Sequence, residues 1–312
     1  MLTVTLNPAL DVCAHVGAVE PDRKMHCDDV IVQPGGGGIN VARVATRMGI
    51  VATAAAFLAR DCDKRFLELL TDENVLVETI AVGGPLRQSL TVIETSTSRQ
   101  YRFVLPGSAM ARDHFESGLA RIAELCVDES LVVVSGSSPP GVSTEDIARL
   151  VGVARSSGAV VIADTSGDAL AAVAAQGTAL LKPSVRELSV YMGRALASHR
   201  EIEQAGRELL SSGPNGAVLV SLGEAGALLI RPDEDAAWFH APRVLSLSTV
   251  GAGDSLVAGI AVSLERGQNL VDAVRCGVAA GTAATLARGT GLCNTADVER
   301  LLPEVLVTGV AQ

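Results

Sequence analysis

One short stretch of the sequence combines a carboxylate with glycines in a way that could carry out chemistry on a phosphate. Residues 248–255 read STVGAGDS, and apolar residues then recur at helical spacing from Leu256 to Leu264. Free N–H groups at a helix N-terminus attract anions, and glycines allow a phosphate to approach the backbone closely. Asp254 would lie in the first turn, where an acid can also simply stabilise the helix dipole. The stretch is therefore either a phosphate site containing a base or an ordinary helix start.

A second glycine-rich helix start lies near the beginning of the chain. Residues 34–40 read PGGGGIN and lead into an apolar helical pattern that ends at Gly49. No lysine of the sequence follows a glycine, which excludes a P-loop. Val41 and Leu256 occupy the positions where a dinucleotide fingerprint needs its third glycine or alanine. Any nucleotide must therefore be bound by another arrangement.

Composition narrows the function classes further. A chain of 312 residues can form one large α/β domain, alone or with a small accessory piece. The net charge of −10 disfavours a nucleic-acid partner, and no window of about 18 apolar residues suggests a membrane span. The six cysteines never fall three apart, so zinc-knuckle spacing is absent and a reducing, cytoplasmic location is expected.

The elements that must position these motifs follow from hydrophobic periodicity. After a first strand at the N-terminus, two loosely alternating hairpins, near 12–32 and 89–104, could pair into one small sheet. From residue 112 onward, helical and strand patterns alternate regularly, which indicates a parallel sheet covered by helices. Two alanine-rich helices are expected at 252–266 and 270–286, and the tail from residue 307 is expected to be frayed.

Four motifs occur in the order typical of one protein family. They are NPALD at 7–11, GGGGIN at 35–40, SGSSPPG at 135–141 and TVGAGD at 249–254. Together they resemble the ribokinase-like PfkB carbohydrate kinases, in particular the ribokinase-type (minor) 6-phosphofructokinases, over essentially the whole chain. The resemblance implies a three-layer α/β/α fold with a mostly parallel central sheet and a small β-sheet lid. It implies a single kinase domain, 1–312, with a discontinuous lid from about 11–34 and 86–105.

The implied reaction is ATP-dependent phosphorylation of a sugar phosphate, fructose 6-phosphate to fructose 1,6-bisphosphate, by a homodimer formed through the lid. Asp254 would be the catalytic base, and the N–H groups of Gly251, Ala252 and Gly253 would stabilise charge on the transferred phosphoryl group. The resemblance assigns the substrate-binding role to Asp11, Lys24, Gly36, Gly37, Asn40, Arg87, Arg102 and Ser137. Taken alone, Asp11 would also fit an Asx-turn, and Arg87 a solvated lid charge.

The nucleotide and ion sites are implied by the same resemblance. Nucleotide binding is assigned to Lys182, Ser184, Ser221, Gly223 and Gly226. Mg²⁺ is assigned, through water, to Glu187 and Asp164, and a monovalent cation such as K⁺ to Ser248, Val250, Ala284 and Gly289. Ser184 departs from the family pattern, which has Asn three residues before the acid. The small residues at 221–226 would also suit a βα turn without any ligand.

Two alternatives remain at this stage. 1-Phosphofructokinase and tagatose-6-phosphate kinase share the fold and base, but they more often carry Lys in the glycine-rich loop where this chain has Gly37-Gly38. A non-catalytic regulator that binds a sugar phosphate is the alternative of another class. The intact glycine turn before Asp254 argues against it, whereas Ser184 leaves it open.

Overall fold

The computed structural model describes residues 1–59, 64–165, 167–287, 289 and 291–309. The strands are β1 Leu2–Thr5, β2 Ala9–Val16, β3 Asp28–Gly35, β4 Thr53–Ala59, β5 Leu76–Val82, β6 Arg87–Glu94, β7 Arg99–Val104, β8 Leu131–Ser135, β9 Val160–Asp164, β10 Leu180–Leu181, β11 Val218–Ser221, β12 Ala227–Ile230, β13 Ala237–His240 and β14 Leu306–Thr308. The helices are α1 Gly37–Arg47, α2 Lys64–Asp72, α3 Arg112–Leu125, α4 Thr144–Ser156, α5 Ala169–Gln176, α6 Val185–Tyr191, α7 His199–Leu210, α8 Ala252–Glu265, α9 Leu270–Ala284 and α10 Thr295–Leu301.

Ten strands form one large sheet in the order β14-β13-β12-β11-β10-β9-β8-β1-β4-β5. Pairing is parallel from β11 through β5 and antiparallel from β11 to β14. Both faces are covered, so β8 reads as the continuous apolar run LVVVS with every residue buried. The apolar layer on one face of the sheet includes residues of α1, α2, α8, α9 and α10. The apolar layer on the opposite face includes residues of α3 to α7. The observed architecture is the predicted three-layer α/β/α fold.

A separate sheet of four strands, in the order β3-β2-β6-β7, lies apart from the central sheet; we call it the small sheet. Each hairpin is antiparallel, and the two hairpins join through parallel pairing of β2 with β6. The pairing of the two predicted hairpins into one sheet is thereby confirmed. It brings Asp11 of β2 opposite Ser89 of β6.

The central sheet reverses its order next to β1, which has β8 on one side and β4 on the other. Ligands of open α/β sheets bind beyond the carboxyl ends of the strands at such a switch point. The residues at or just beyond these ends in the central strands are Asn7, Ser135, Asp164, Lys182 and Ser221. The topology alone therefore gathers most of the predicted motifs at one edge of the sheet.

The expectation of a frayed tail was wrong for residues 307 and 308. Leu306–Thr308 forms an edge strand, with Val307 opposite Phe239 and Thr308 opposite Trp238 of β13. Its three residues are too few for a strand pattern to be recognised, and the available sheet edge determines their conformation. The last three residues of the predicted tail lie outside the described residues. Cys62 and residue 63, where the hydrophobic pattern predicts the start of the helix after β4, also lie outside them.

Candidate active site

The N-terminus of α8 is built without a capping side chain. Its N-cap is Gly251, which has φ 74°, a left-handed conformation that glycine adopts without strain. Gly253 is exposed in the first turn, and the nearest atom to a Cβ placed there would be Nζ of Lys182 at 3.9 Å. The backbone at this turn is therefore accessible to a ligand, with an ammonium group beside it.

Asp254 makes its hydrogen bond to a distant part of the chain. Its Oδ2 accepts a 2.8 Å hydrogen bond from Nδ2 of Asn40 on α1. Partial removal from water raises the pKa of Asp254 to about 6, with a further increase from the negative charge of Asp164. The Asn40 hydrogen bond and the ammonium of Lys182 act in the opposite direction. A carboxylate tuned in this way can take up and release a proton near neutral pH.

The glycines before α1 are required by close packing. Gly36 is the N-cap of α1, with φ 115°. A Cβ at Gly37 would lie 2.3 Å from Oγ of Ser135, and one at Gly36 would lie 2.8 Å from Cγ2 of Thr5. The start of α1 thus lies directly against the carboxyl ends of β1 and β8, which brings Asn40 to Asp254. This packing explains the glycines even without a ligand.

Arg43 is a polar residue of this region that the sequence reasoning missed. It is only 1% exposed, yet its Nη1 donates to Oδ1 of Asn40 at 3.3 Å and to the Pro34 carbonyl at 2.8 Å. The rest of the guanidinium pairs with the carboxylate of Glu73. Its signal in the sequence was a charge three positions after Asn40, on a helix whose neighbouring residues are buried and apolar.

The candidate phosphate pocket lies between the small sheet and the carboxyl end of β8. Nε of Arg87 donates to the carbonyl of Asn7 at 3.0 Å, and Nδ2 of Asn7 donates to Oγ of Ser137 at 3.4 Å. These three residues and Gly107 contribute to the lining of a cleft of about 480 Å³. The sequence reasoning did not single out Asn7, which holds the two predicted phosphate-binding side chains together.

The other predicted sugar-phosphate residues have different surroundings. Burial raises the pKa of Asp11, partly offset by a hydrogen bond from Ser89 and by the charges of Arg87 and Arg102. Arg102 itself is exposed on β7. Lys24 is exposed between β2 and β3 and forms no hydrogen bond or ion pair with another described residue. The structure therefore brings Asp11 and Arg87 close to one another but shows no hydrogen bond or ion pair between Lys24 and either of them.

The candidate nucleotide side contains a buried ion pair. Nζ of Lys182 lies 3.0 Å from Oδ1 of Asp164, and Lys182 is only 5% exposed. Burial alone would lower the pKa of Lys182, but the negative charges of Asp164, Glu187 and Asp254 outweigh it and raise that pKa. Lys182 therefore remains a cation beside the α8 turn across the physiological pH range.

Ser184 and Glu187 form a capping box at the start of α6. Oγ of Ser184 accepts from the backbone N–H of Glu187, and Oε2 of Glu187 accepts from the N–H and Oγ of Ser184 at 2.7 and 2.9 Å. Ser184 thus keeps a side-chain cap at the position where the family has asparagine, a residue that also caps helices. One carboxylate oxygen of Glu187 is engaged in this box.

The residues predicted for the adenine side form a tight turn. This turn joins β11 to β12, an antiparallel pair, so the expected βα turn at 221–226 was wrong. Gly226 has φ 105°, and a Cβ there would lie 1.9 Å from the Phe239 carbonyl. Gly223 also has a positive φ, 62°, but no atom would lie within 4 Å of its Cβ. Ser221 ends β11 and forms a parallel bridge with Ser184.

The residues predicted for a monovalent cation lie around the loop before α8. Oγ of Ser248 donates to the Gly289 carbonyl at 2.6 Å and accepts from the N–H of Val250 at 3.3 Å. Ala284 ends α9, and its carbonyl accepts from the N–H of Ala287. Across the described parts of the chain, no group of three or more His, Cys, Asp or Glu residues could hold a metal ion.

The order of these elements and motifs matches a known family profile. Residues 5–297 match the profile described as pfkB family carbohydrate kinase. The chain belongs to this family. This pfkB-family kinase is 39% identical over 300 residues to ATP-dependent 6-phosphofructokinase isozyme 2 of Escherichia coli, with 96% of each chain covered. It is 29% identical over 312 residues to a 1-phosphofructokinase of Vibrio cholerae, with 99% of this chain and 97% of the relative covered.

Solved structures agree with this assignment. The pfkB-family kinase superimposes on phosphofructokinase-2 from Escherichia coli in complex with potassium with a TM-score of 0.91, at 38% identity, covering 97% of this chain and 98% of that one. The complex of the same enzyme with fructose-6-phosphate gives a TM-score of 0.89 at 37% identity, with 98% of each chain covered. No helix among the described residues is both long and apolar enough to cross a membrane.

Proposed function

We propose that this pfkB-family kinase transfers the γ-phosphoryl group of ATP to the 1-hydroxyl of fructose 6-phosphate, giving ADP and fructose 1,6-bisphosphate. The main support for the proposal is the position of Asp254 at the glycine turn of α8, close to the cation Lys182, where its carboxylate has a pKa of about 6. The similarity to 6-phosphofructokinase isozyme 2 of Escherichia coli supports the choice of substrate.

In this mechanism Asp254 accepts the proton of the attacking hydroxyl as its oxygen bonds to the γ-phosphorus. The bond from that phosphorus to the β–γ bridging oxygen breaks, and the electron pair leaves with ADP. The backbone N–H groups of Gly251, Ala252 and Gly253 stabilise the charge on the transferred group at the helix N-terminus. Positioning and electrostatics of this kind are what phosphoryl transfer requires.

Lys182 would bind the nucleotide phosphates, while Glu187 and Asp164 would take part in holding Mg²⁺. Magnesium usually enters such sites with several waters, the substrate phosphates and one or two carboxylates, so a protein cage is not needed. The engagement of Glu187 in the capping box and of Asp164 with Lys182 suits contact through water. When bound, Mg²⁺ neutralises charge on the phosphates. Ser184, Ser221, Gly223 and Gly226 would line the rest of the nucleotide site.

A second ion, K⁺, is proposed beside the α8 turn. The Ser248 hydroxyl and the carbonyls of Val250, Ala284 and Gly289 offer oxygen donors, and the potassium complex of phosphofructokinase-2 from Escherichia coli supports this choice. Comparison of rates in KCl and NaCl at equal ionic strength tests it. A rate that is independent of the cation would oppose a K⁺ site.

The sugar phosphate would lie between the small sheet and the central sheet. Arg87 and Ser137 would bind the 6-phosphate, because a guanidinium fork matches phosphate oxygens, and Asp11, Gly36, Gly37 and Asn40 would contact the sugar. Lys24 and Arg102 would complete the phosphate pocket when the small sheet closes as a lid, which we propose for segments 11–34 and 86–105 of the single domain. Closure would exclude water and so favour transfer to the sugar over hydrolysis.

The exposed face of the small sheet suits a second copy of the chain. The side chains of Val30, Leu90 and Phe103 share the face of the sheet opposite to Asp11, and each is at least 38% exposed. Apolar patches of this kind often mark protein interfaces. We therefore propose a homodimer through the lid, acting in the cytoplasm, which suits the free thiols of the described cysteines. Sedimentation of the wild type and Phe103→Asp tests the interface, since a dimer in both would contradict it.

Coupled ADP release with Mg-ATP tests the proposed activity. Fructose 6-phosphate, fructose 1-phosphate, tagatose 6-phosphate and adenosine are compared in parallel, and fructose 6-phosphate is expected to give the highest kcat/KM. A preference for fructose 1-phosphate would support the alternative suggested by the Vibrio cholerae relative. Absence of turnover with every acceptor would support a non-catalytic sugar-phosphate-binding regulator.

A further inference from the structure

The guanidinium of Arg43 is buried and makes contacts in three directions. Nε and Nη2 bind the Glu73 carboxylate at 2.5–3.1 Å. Nη1 donates to the Pro34 carbonyl at 2.8 Å and to Oδ1 of Asn40 at 3.3 Å. Asn40 in turn donates from Nδ2 to Oδ2 of Asp254 at 2.8 Å. A continuous chain of hydrogen bonds therefore runs from Glu73 to the carboxylate at the start of α8.

These contacts determine which way the Asn40 amide faces. A guanidinium has only donors, so the amide atom next to Arg43 must be the oxygen. The amide nitrogen then faces Asp254 and donates to its carboxylate. In the flipped orientation, the nitrogen would face the donors of Arg43 and the oxygen would face the carboxylate, so both contacts would be repulsive. We propose that Arg43 is a positioning residue that fixes Asn40 in the orientation that holds Asp254 for proton transfer.

The same guanidinium fixes the end of the small sheet. Pro34 lies in β3, directly before the glycines that lead into α1. Its carbonyl shares Nη1 of Arg43 with the Asn40 amide. The junction between the small sheet and the glycine-rich loop is therefore linked to the group that contacts Asp254. This inference rests on the proposed role of Asp254 as the base.

A purely structural role for Arg43 would not require these contacts. Burial alone would raise the pKa of Glu73, but hydrogen bonds and ion pairs with Arg43 and Arg47 lower it. Arg47, one turn further along α1, binds the same carboxylate at 2.9 Å and is far more exposed. A buried ion pair is often no more stabilising than a well-packed apolar pair. The contact of Nη1 with Asn40 thus distinguishes Arg43 from its neighbour.

A double-mutant cycle tests the inference on the full chain. In Arg43→Lys a single ammonium cannot serve Glu73, Pro34 and Asn40 together, and kcat is expected to fall about 10- to 100-fold, as small displacements at a reacting centre do. The KM for ATP is expected to change by less than about threefold, because the nucleotide side is untouched. In the Asn40→Ala background, Arg43→Lys should change kcat by less than about twofold, since the two residues act as one unit.

Arg47→Lys is the matched control, because it makes the same substitution on the same helix, with the same Glu73 partner, and should leave kcat close to that of the wild type. If thermal melting shows that Arg43→Lys is unfolded, Arg43→Met/Glu73→Gln removes both charges of the ion pair and should show the same loss of kcat. If the wild type turns over and the Arg43 variant has the same kcat, this inference alone is overturned. The same holds if the double variant loses kcat by the product of the two single losses. Wild-type protein without turnover would overturn the proposed function as well.

Discussion

Nδ2 of Asn40 donates a 2.8 Å hydrogen bond to Oδ2 of Asp254, although 214 residues separate them in the sequence. The bond joins the first turn of α1 to the first turn of α8, so the two glycine-rich helix starts form one site. It also engages one oxygen of the carboxylate and leaves the other for a substrate hydroxyl. The chemistry proposed for Asp254 therefore depends on the packing of α1 against the ends of β1 and β8.

The first prediction concerns the pH dependence of the reaction. Asp254 must be ionised to act as a base, and its pKa is raised to about 6, first by partial removal from water and then by Asp164. We expect kcat/KM for fructose 6-phosphate to fall about tenfold per pH unit below pH 6 and to level off above it. A profile that stays flat down to pH 5 would contradict a base with this pKa.

The second prediction concerns stability. Because the pKa of Asp254 is raised on folding, its ionised form is disfavoured in the folded state, so this group stabilises the fold below about pH 3.8 and loses that contribution as pH rises through 6. Asp254→Asn should therefore increase the free energy of unfolding at pH 8, by on the order of 1–3 kcal/mol. Denaturant unfolding at pH 8 and pH 5 measures the effect, which should be smaller at pH 5. If the free energy of unfolding of Asp254→Asn at pH 8 does not exceed that of the wild type, the ionised carboxylate is not destabilised by its surroundings.

The third prediction separates two glycines of the same turn. Gly253→Ala places a methyl group in the open turn, 3.9 Å from Nζ of Lys182, so folding should be preserved while kcat falls about 100-fold. Gly251→Ala requires φ 74° of a non-glycine residue and brings its Cβ within 2.7 Å of Leu292, so the fold should lose about 1 kcal/mol or more. Melting temperature and kcat are measured for both variants. Gly253→Ala should mainly lower kcat, and Gly251→Ala should mainly lower the melting temperature. Equal loss of stability in the two would contradict the role given to the Gly253 position.

The fourth prediction concerns the 6-phosphate. Arg87→Met removes a guanidinium that contributes to the lining of the cleft, and loss of a charged hydrogen bond should raise the KM for fructose 6-phosphate about 10- to 100-fold. Arg99→Met, on the exposed strand β7, is the matched control and should leave KM unchanged. Equal KM values in the two variants would indicate that Arg87 is a solvated charge that does not bind the 6-phosphate.

The sequence allowed the central sheet, the helices and the pairing of the two hairpins to be predicted, because buried parallel strands and amphipathic helices leave strong periodic patterns. It could not place β14, whose three residues depend on an available sheet edge. The capping box of Ser184 and Glu187 follows an S-x-x-E pattern that the sequence itself shows. The role of Arg43 as a partner of Asn40, by contrast, required coordinates. Such roles depend on which side chains meet in space, and periodicity carries no information about that.

The central claim is that Asp254 takes the proton of the attacking sugar hydroxyl. The most direct test compares kcat of the wild type and Asp254→Asn with Mg-ATP and fructose 6-phosphate, together with calorimetric binding of the sugar phosphate. Asn keeps the size and the acceptor for Asn40, so we expect binding within about threefold of the wild type and a loss of kcat of about 10²–10⁴-fold. A variant that binds the sugar phosphate normally and retains a kcat near that of the wild type would contradict the account.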